Sequence, residues 1–227
     1  MLDQLIIGGR GTFDEFGASV AKRKINAPQK KEIKETVPFS NVTYDFSAIN
    51  GELYWGEREL EYIFEITAPN PEELENKKMV FSNWVMNVME EKIIDPFIPD
   101  FHFFGTYADM TPEDEESVDK TTITVKFKTY PYKIANKPKI YTFTVPANLP
   151  EGADGVVKTV VNNSGHKITP TFITDVGVTL KMGNVSYFIP AGETADGSLK
   201  LDVGQNTLII QSEEDCTLTV KFFEEVF

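Results

Sequence analysis

Apolar and polar residues alternate most regularly between Arg58 and Ile66, with Leu60, Tyr62, Phe64 and Ile66 on one side and Glu59, Glu61 and Glu65 on the other. A period of two marks a half-buried strand, because successive side chains leave opposite faces of the pleat. Ile63 alone interrupts the polar face. A shorter run of the same period, Val42, Tyr44 and Phe46 against Thr43, Asp45 and Ser47, precedes it, with Asn50-Gly51 as a turn between the two. These runs are expected to form a meander. A third strand directs Ile123, Val125, Phe127 and Thr129 inward and Thr122, Thr124, Lys126 and Lys128 outward, so its lysines can face the glutamates of the Arg58 strand. Such pairs contribute only about 0.2 to 1 kcal/mol each, which favours a register without making the sheet.

Between these strands the period changes. Asn70 suits a helix N-cap, Pro71 the first helical position, and Glu72 and Glu73 the positive end of the helix dipole. Leu74, Phe81, Trp84, Val85 and Val88 then build an apolar stripe, with Trp84 expected as the core anchor between helix and sheet. The helix must end before Asp95-Pro96, because a residue before proline disfavours helical backbone. His102, in Phe101-His102-Phe103-Phe104, reads as a packed or hydrogen-bonded residue at the core edge.

After Tyr130-Pro131-Tyr132-Lys133 no helical stripe recurs, and Asn136-Lys137-Pro138 reads as a hinge between a domain of residues 1–135 and one of 136–227. Short strands follow: 140–145, 155–161, 172–174, 176–182, 185–189, 197–202, 206–211 and 217–223, several separated by turn dipeptides such as Gly183-Asn184 and Asp196-Gly197. That spacing implies an antiparallel β-sandwich. The fold class expected is mainly β, a β-sandwich with one helix followed by a second sandwich. His166, after Ser164-Gly165, is expected at an exposed hairpin tip.

Composition narrows the chemistry. A net charge of -13 opposes nucleic acid and anionic membranes as partners. The single cysteine, Cys216, excludes an intramolecular disulfide and a cysteine-rich zinc site. The acidic start, Asp3 within Met1 to Ile7, reads as a first strand and not as a secretory signal, and no apolar run approaches the roughly 20 residues of a membrane span, so a soluble protein is expected. Only two histidines, in different predicted domains, are available as bases, and Gly8-Gly9-Arg10-Gly11 lacks the lysine of a phosphate loop and reads as a turn. The run from Glu113 to Glu116, closed by Asp119, lacks the alternating ligands and the glycine of a calcium loop. No enzyme, cofactor or metal is expected. One basic island, Lys22, Arg23, Lys24, Lys30, Lys31 and Lys34, stands out in this acidic chain. It reads either as a solvated loop or lysine-protected edge strand, or as an arm that docks on the acidic surface of a neighbouring subunit.

The stretch Val37 to Ser47, then Gly51 and Tyr54-Trp55-Gly56-Glu57-Arg58-Glu59-Leu60, resembles the N-terminal domain of bacteriophage distal tail proteins. The helix from Pro71 to Met89 with its tryptophan, the segment Ile94 to Phe103 and the strand ending in Lys126 to Tyr132 agree with it in order. Val161-Asn162-Asn163-Ser164-Gly165, Pro170 and Gly204-Gln205-Asn206-Thr207 look like the galectin-like C-terminal domain of that family, so the resemblance spans nearly the whole chain. It implies a structural virion protein made in the host cytoplasm: a six-membered ring built by the first domain. Such a ring joins the tail tube protein to the tail-associated spike or lysin and at its side carries receptor-binding proteins. The basic island would lie in the subunit interface. A carbohydrate-binding module of an adhesion device is the second reading, although both tryptophans, Trp55 and Trp84, fall in the first domain. The tail tube protein itself is a third.

Overall fold

The computed structural model describes residues 3–36, 38–48, 51–113, 119–148 and 153–227. The Asn50 half of the Asn50-Gly51 turn and residues 114–118 of the acidic run lie outside them. The chain divides into two compact units, one of Met1–Ile134 with Phe227 and one of Ala135–Val226.

The first unit comprises β1 (Ile6–Ile7), β2 (Arg10–Gly11), α1 (Thr12–Phe16), β3 (Ala18–Ile25), β4 (Lys34–Thr36), β5 (Thr43–Asp45), β6 (Arg58–Thr67), α2 (Pro71–Val85), β7 (Glu91–Ile94), β8 (Phe101–Glu113) and β9 (Lys120–Thr129), with β10 (Lys133–Ala135) at the division. Its main sheet follows the order β2-β1-β7-β8-β9-β6-β3. Strand β6 shows the expected alternation, with Leu60, Tyr62, Phe64 and Ile66 fully buried. Its partner β9 sets Glu61 opposite Lys126 and Glu59 opposite Lys128, and the Lys126 ammonium reaches Glu61 at 3.8 Å. Gly8 and Gly9, both at positive φ, make the tight turn between β1 and β2.

The Val42 run departs from expectation. β5 pairs with β4 and not with β6, and Thr43, Tyr44 and Asp45 are all exposed, so no meander forms. Helix α2 begins as expected, the Asn70 side chain accepting the Glu73 backbone N–H at 2.9 Å. It ends at Val85, early enough to leave room for β7 before Asp95-Pro96. Phe81, and not Trp84, is the core anchor. Phe81 is fully buried with its ring 5.0 Å from that of Phe64, whereas Trp84 is half-buried and stacks on Phe16 at 4.3 Å. The helix geometry explains the exchange: Leu74, Phe81 and Val85 lie on one line, and at 3.6 residues per turn Trp84 falls roughly 80° to its side.

In the second unit β11 (Lys139–Val145), β12 (Val156–Asn162), β13 (Thr171–Thr174), β14 (Val178–Met182), β15 (Val185–Ile189), β16 (Gly192–Ala195), β17 (Gly204–Ser212) and β18 (Cys216–Phe222) form two four-stranded sheets, β11-β18-β13-β16 and β12-β17-β14-β15, followed by the short β19 (Glu225–Val226). Every pairing in the two sheets is antiparallel, as alternating core residues such as Leu208, Ile210, Leu218 and Val220 require. The strand expected at 197–202 is absent. Leu199 and Leu201 are buried there from a loop tied by the Leu199 N–H to Asp196, and β16 lies earlier. Buried Asn162 donates to the Leu201 and His166 carbonyls at 3.2 and 3.1 Å and accepts the Ser164 N–H at 2.9 Å. His166 is consequently not an exposed tip. It is half-buried, with its Nε2 3.2 Å from Glu225.

Phe81→Ala should destabilise the chain by about 3 to 5 kcal/mol and Trp84→Ala by roughly half as much, since the indole is only half-buried. Urea unfolding distinguishes the two; equal losses would contradict the exchange of roles.

Candidate functional site

The basic island does not stay together in three dimensions. Strand β3 is the edge of the main sheet, and between Val20 and Lys22 its pairing with β6 skips Ala21, so a β-bulge adds one residue. One extra residue inverts the alternation of everything after it. Ala18 and Val20 face the core before the bulge; after it Lys22 and Lys24 face solvent and Arg23 and Ile25 turn inward. The two lysines thereby guard an open strand edge.

Arg23 stands opposite Tyr62 and is consumed inside the unit. Its guanidinium pairs with Asp3 and, at 3.0 Å, with the fully buried carboxylate of Asp95, and lies 3.9 Å over the Phe97 ring. Asp95 also accepts the Tyr62 hydroxyl at 3.2 Å and the Phe97 backbone N–H at 3.0 Å. Burial works against the Arg23 charge, but the hydrogen bond to Asp3 and the fields of Asp95 and Asp3 outweigh it and hold the group above its usual pKa. Burial and the Asp95 charge push the Tyr62 phenol up, so it stays a neutral donor. This network joins residues 20 and 72 positions apart, so no local pattern in the sequence signals it.

Lys30, Lys31 and Lys34 belong to a different feature. Ile25 pairs with Leu60 and the Asn26 N–H donates to the Glu59 carbonyl, so the chain leaves the sheet at residue 26 and re-enters it at the same place at Arg58. Everything between is an arm. Its base is clamped by a bridge between Lys30 and Trp55 and by Lys31 N–H to Tyr54 carbonyl and Gly56 N–H to Gln29 carbonyl bonds of 2.8 and 2.7 Å. Its outer part is the β4–β5 hairpin, in which Ser47 is the one buried residue between Lys31 and Ala48 among those described. Lys34 pairs with Glu32 at 2.6 Å, so the arm is of mixed charge.

Apolar side chains dominate what the arm exposes. Ile33, Val42, Tyr44, Leu53 and Tyr54 have about half their surface in water, and Phe39 is fully exposed on a backbone with φ of +63°. A bulky residue in that left-handed region is strained. Nothing described in this unit covers the ring to offset it. A two-stranded hairpin without a packed face is marginal in water, and a concentration of exposed apolar residues in one segment marks a surface built for contact.

Chemistry is sparse by comparison. Among the described residues no group of three or more His, Cys, Asp or Glu is arranged to hold a metal, and no helix is long and apolar enough to cross a membrane. Cys216 is buried in the second unit. That unit has a cleft of about 430 Å³ whose lining includes Thr179, Gln211, Glu213, Glu214 and the exposed Phe188 ring.

No family model matches the chain, and no curated protein matches it. Among solved structures it is similar to the SPP1 Dit (gp 19.1) protein, described as a paradigm of the hub adsorption apparatus in phages infecting Gram-positive bacteria. The TM-score is 0.70 at 13% identity, over 98% of this chain and 99% of that one. Chains from the phage P2 baseplate in its activated conformation, with Ca and with Sr, align at 9% identity with TM-scores of 0.41 and 0.42, too low to support an argument. The first likeness establishes the fold: a mainly β chain built along its whole length like the SPP1 Dit protein.

Asp95→Ala would leave Arg23 and the Tyr62 hydroxyl without their buried partner and should cost about 3 kcal/mol or more. Lys22→Ala, on the solvent face, should stay within about 0.5 kcal/mol of the parent. Chemical denaturation of both variants tests this; a neutral Asp95→Ala would refute the network's structural role.

Proposed function

We propose that the chain is a structural protein of a phage distal tail, a hub subunit whose first unit assembles into a closed ring of six. The observation that carries this reading is the arm of residues 26–57, an apolar hairpin that one subunit exposes and leaves uncovered. The shared fold with a phage hub protein supports it. An arm that seats on a different surface of the next subunit makes a head-to-tail contact, and such contacts either close into a ring or grow into a filament. An adaptor between tail tube and host-recognition proteins needs closure around a channel.

Within this reading the apolar side chains of the arm supply the affinity, and Lys30 and Lys31 at its base steer it towards the acidic surface of a neighbour. Lys22 and Lys24 keep the β3 edge from pairing indiscriminately, and Arg23 stabilises the unit that carries the arm. A stable contact buries more than about 1,000 Å², within reach of a 32-residue arm. The second unit, galectin-like, faces the partners: spike or lysin below and receptor-binding protein at the side. The protein is made in the host cytoplasm, resides in the virion tail and performs no catalysis. The carbohydrate-binding alternative retains one supporting feature, the Phe188 cleft, which lacks a tryptophan platform.

The variant Phe39→Ser with Tyr44→Ser should leave the stability of the dilute protein within about 0.5 kcal/mol, since both rings are exposed. Its self-association should weaken more than tenfold. Sedimentation velocity over a concentration series measures this. A parent chain that stays a single subunit throughout would overturn the reading.

A further inference from the structure

We infer that Arg58 and Lys133 form a receptor for a carboxylate supplied by a second copy of this chain, an inference that rests on the assembly proposed above. Arg58 begins β6 on its core face, in line with Leu60, Tyr62, Phe64 and Ile66, and is only 3% exposed. Its Nε is buried without a hydrogen-bond partner. The guanidinium lies 5.7 Å over the Phe103 ring, and the Arg58 backbone carbonyl accepts the Thr129 hydroxyl at 3.3 Å. Among the described residues no carboxylate pairs with it. Arg23, on the neighbouring strand, is the contrast: its side chain is more exposed, yet it has two carboxylates.

Lys133, on β10, deepens the anomaly. It is half-buried and, among the described residues, has no ion pair; burial and then the charge of Arg58 lower its pKa. Burial alone lowers that of Arg58. Arg58 is thus held away from water and Lys133 half in it, within the field of Arg58, in a chain of 35 acidic against 22 basic residues. The row to which Arg58 belongs brings no carboxylate beside it. Arg58 stands opposite Thr129, and Thr129 opposite Gly105, which has no side chain and where a Cβ would meet the Lys128 carbonyl at 2.4 Å; the next residue of the row, Glu91, lies three strands from Arg58 with its carboxylate beside Gly8.

An isolated buried cation is costly and persists where something offsets it. The planar fork of Arg58 suits a carboxylate held by two parallel hydrogen bonds, and Lys133 adds a second positive charge to the same anion. Lys133, half-buried on β10, is the more accessible of the two. A second copy, with a net charge of -13 and a surface rich in Glu and Asp, is a source of that carboxylate already present wherever the chain assembles.

The test uses the full chain and two variants, Arg58→Met and Lys133→Met, with melting temperature measured on dilute protein and self-association by sedimentation. Arg58→Met should melt no lower than the parent, because an uncompensated charge is removed, yet assemble roughly thirtyfold or more weakly, as when one partner of a buried interfacial charge pair is lost. Assembly at the parent's concentration would overturn the inference and leave the proposed function standing; so would a lowered melting temperature with assembly intact. Should Arg58→Met fail to fold, Lys133→Met decides, with weakened assembly expected and unchanged assembly contradicting. A parent chain that never assembles defeats the proposed function and this inference with it.

Discussion

Strand β6 is hydrogen-bonded on both flanks, and the rest of the first unit takes its register from it. Leu60 lies between Ile25 and Phe127, Tyr62 between Arg23 and Val125, Phe64 between Val20 and Ile123, and Ile66 between Ala18 and Thr121. Paired residues share a face, so these rows stack into layers of one core, onto which α2 lays Leu74, Phe81 and Val85. Keeping four such layers while β3 carries one residue more than its partner forces the bulge at Ala21. From that single residue follow the inward turn of Arg23, its pairing with buried Asp95, and the outward lysines that guard the sheet edge. A slip of one residue without the bulge would instead bury Lys22 and Lys24.

The same pairing defines the arm. Because Ile25 and Leu60 are adjacent in the sheet, the residues between them are an excursion outside it. Hairpin connections usually take two to five residues, and long ones in compact domains are commonly functional. The arm exposes Phe39, Val42 and Tyr44 to water while the core below it is complete. Under the proposed assembly the surface these residues lack within one subunit is provided by the next, and the unpaired charge of Arg58 has the same logic.

Strands β6 and β9, their glutamate and lysine register and the N-terminus of α2 were legible because each rests on local information: a period of two, a capping residue, a proline. Trp84 was misjudged because hydrophobicity outweighed its angular position on the helix. The alternation of Val42, Tyr44 and Phe46 belongs to a hairpin with β4 and not to a meander, since alternation says that one face needs cover and not where the cover comes from. The loop around Leu199 and Leu201 shows the same ambiguity, two buried leucines spaced as in a strand but held by a turn. The basic island looked like one feature in one dimension; a bulge and an excursion separate it into an edge, an internal ion pair and an arm. Nothing periodic announces Asp3, Asp95 and Tyr62 as the partners of Arg23, nor that no carboxylate among the described residues pairs with Arg58.

Hydrogen exchange of the arm amides, residues 31–54, measured as a function of protein concentration, tests most directly whether the arm is made to be covered by another subunit. The account predicts rapid exchange in dilute protein, where the hairpin is marginal, and strong protection that appears in step with self-association while the amides of β6 and β9 stay protected throughout. Arm amides that are already protected in the single subunit, or that remain rapid in the assembled protein, would contradict it.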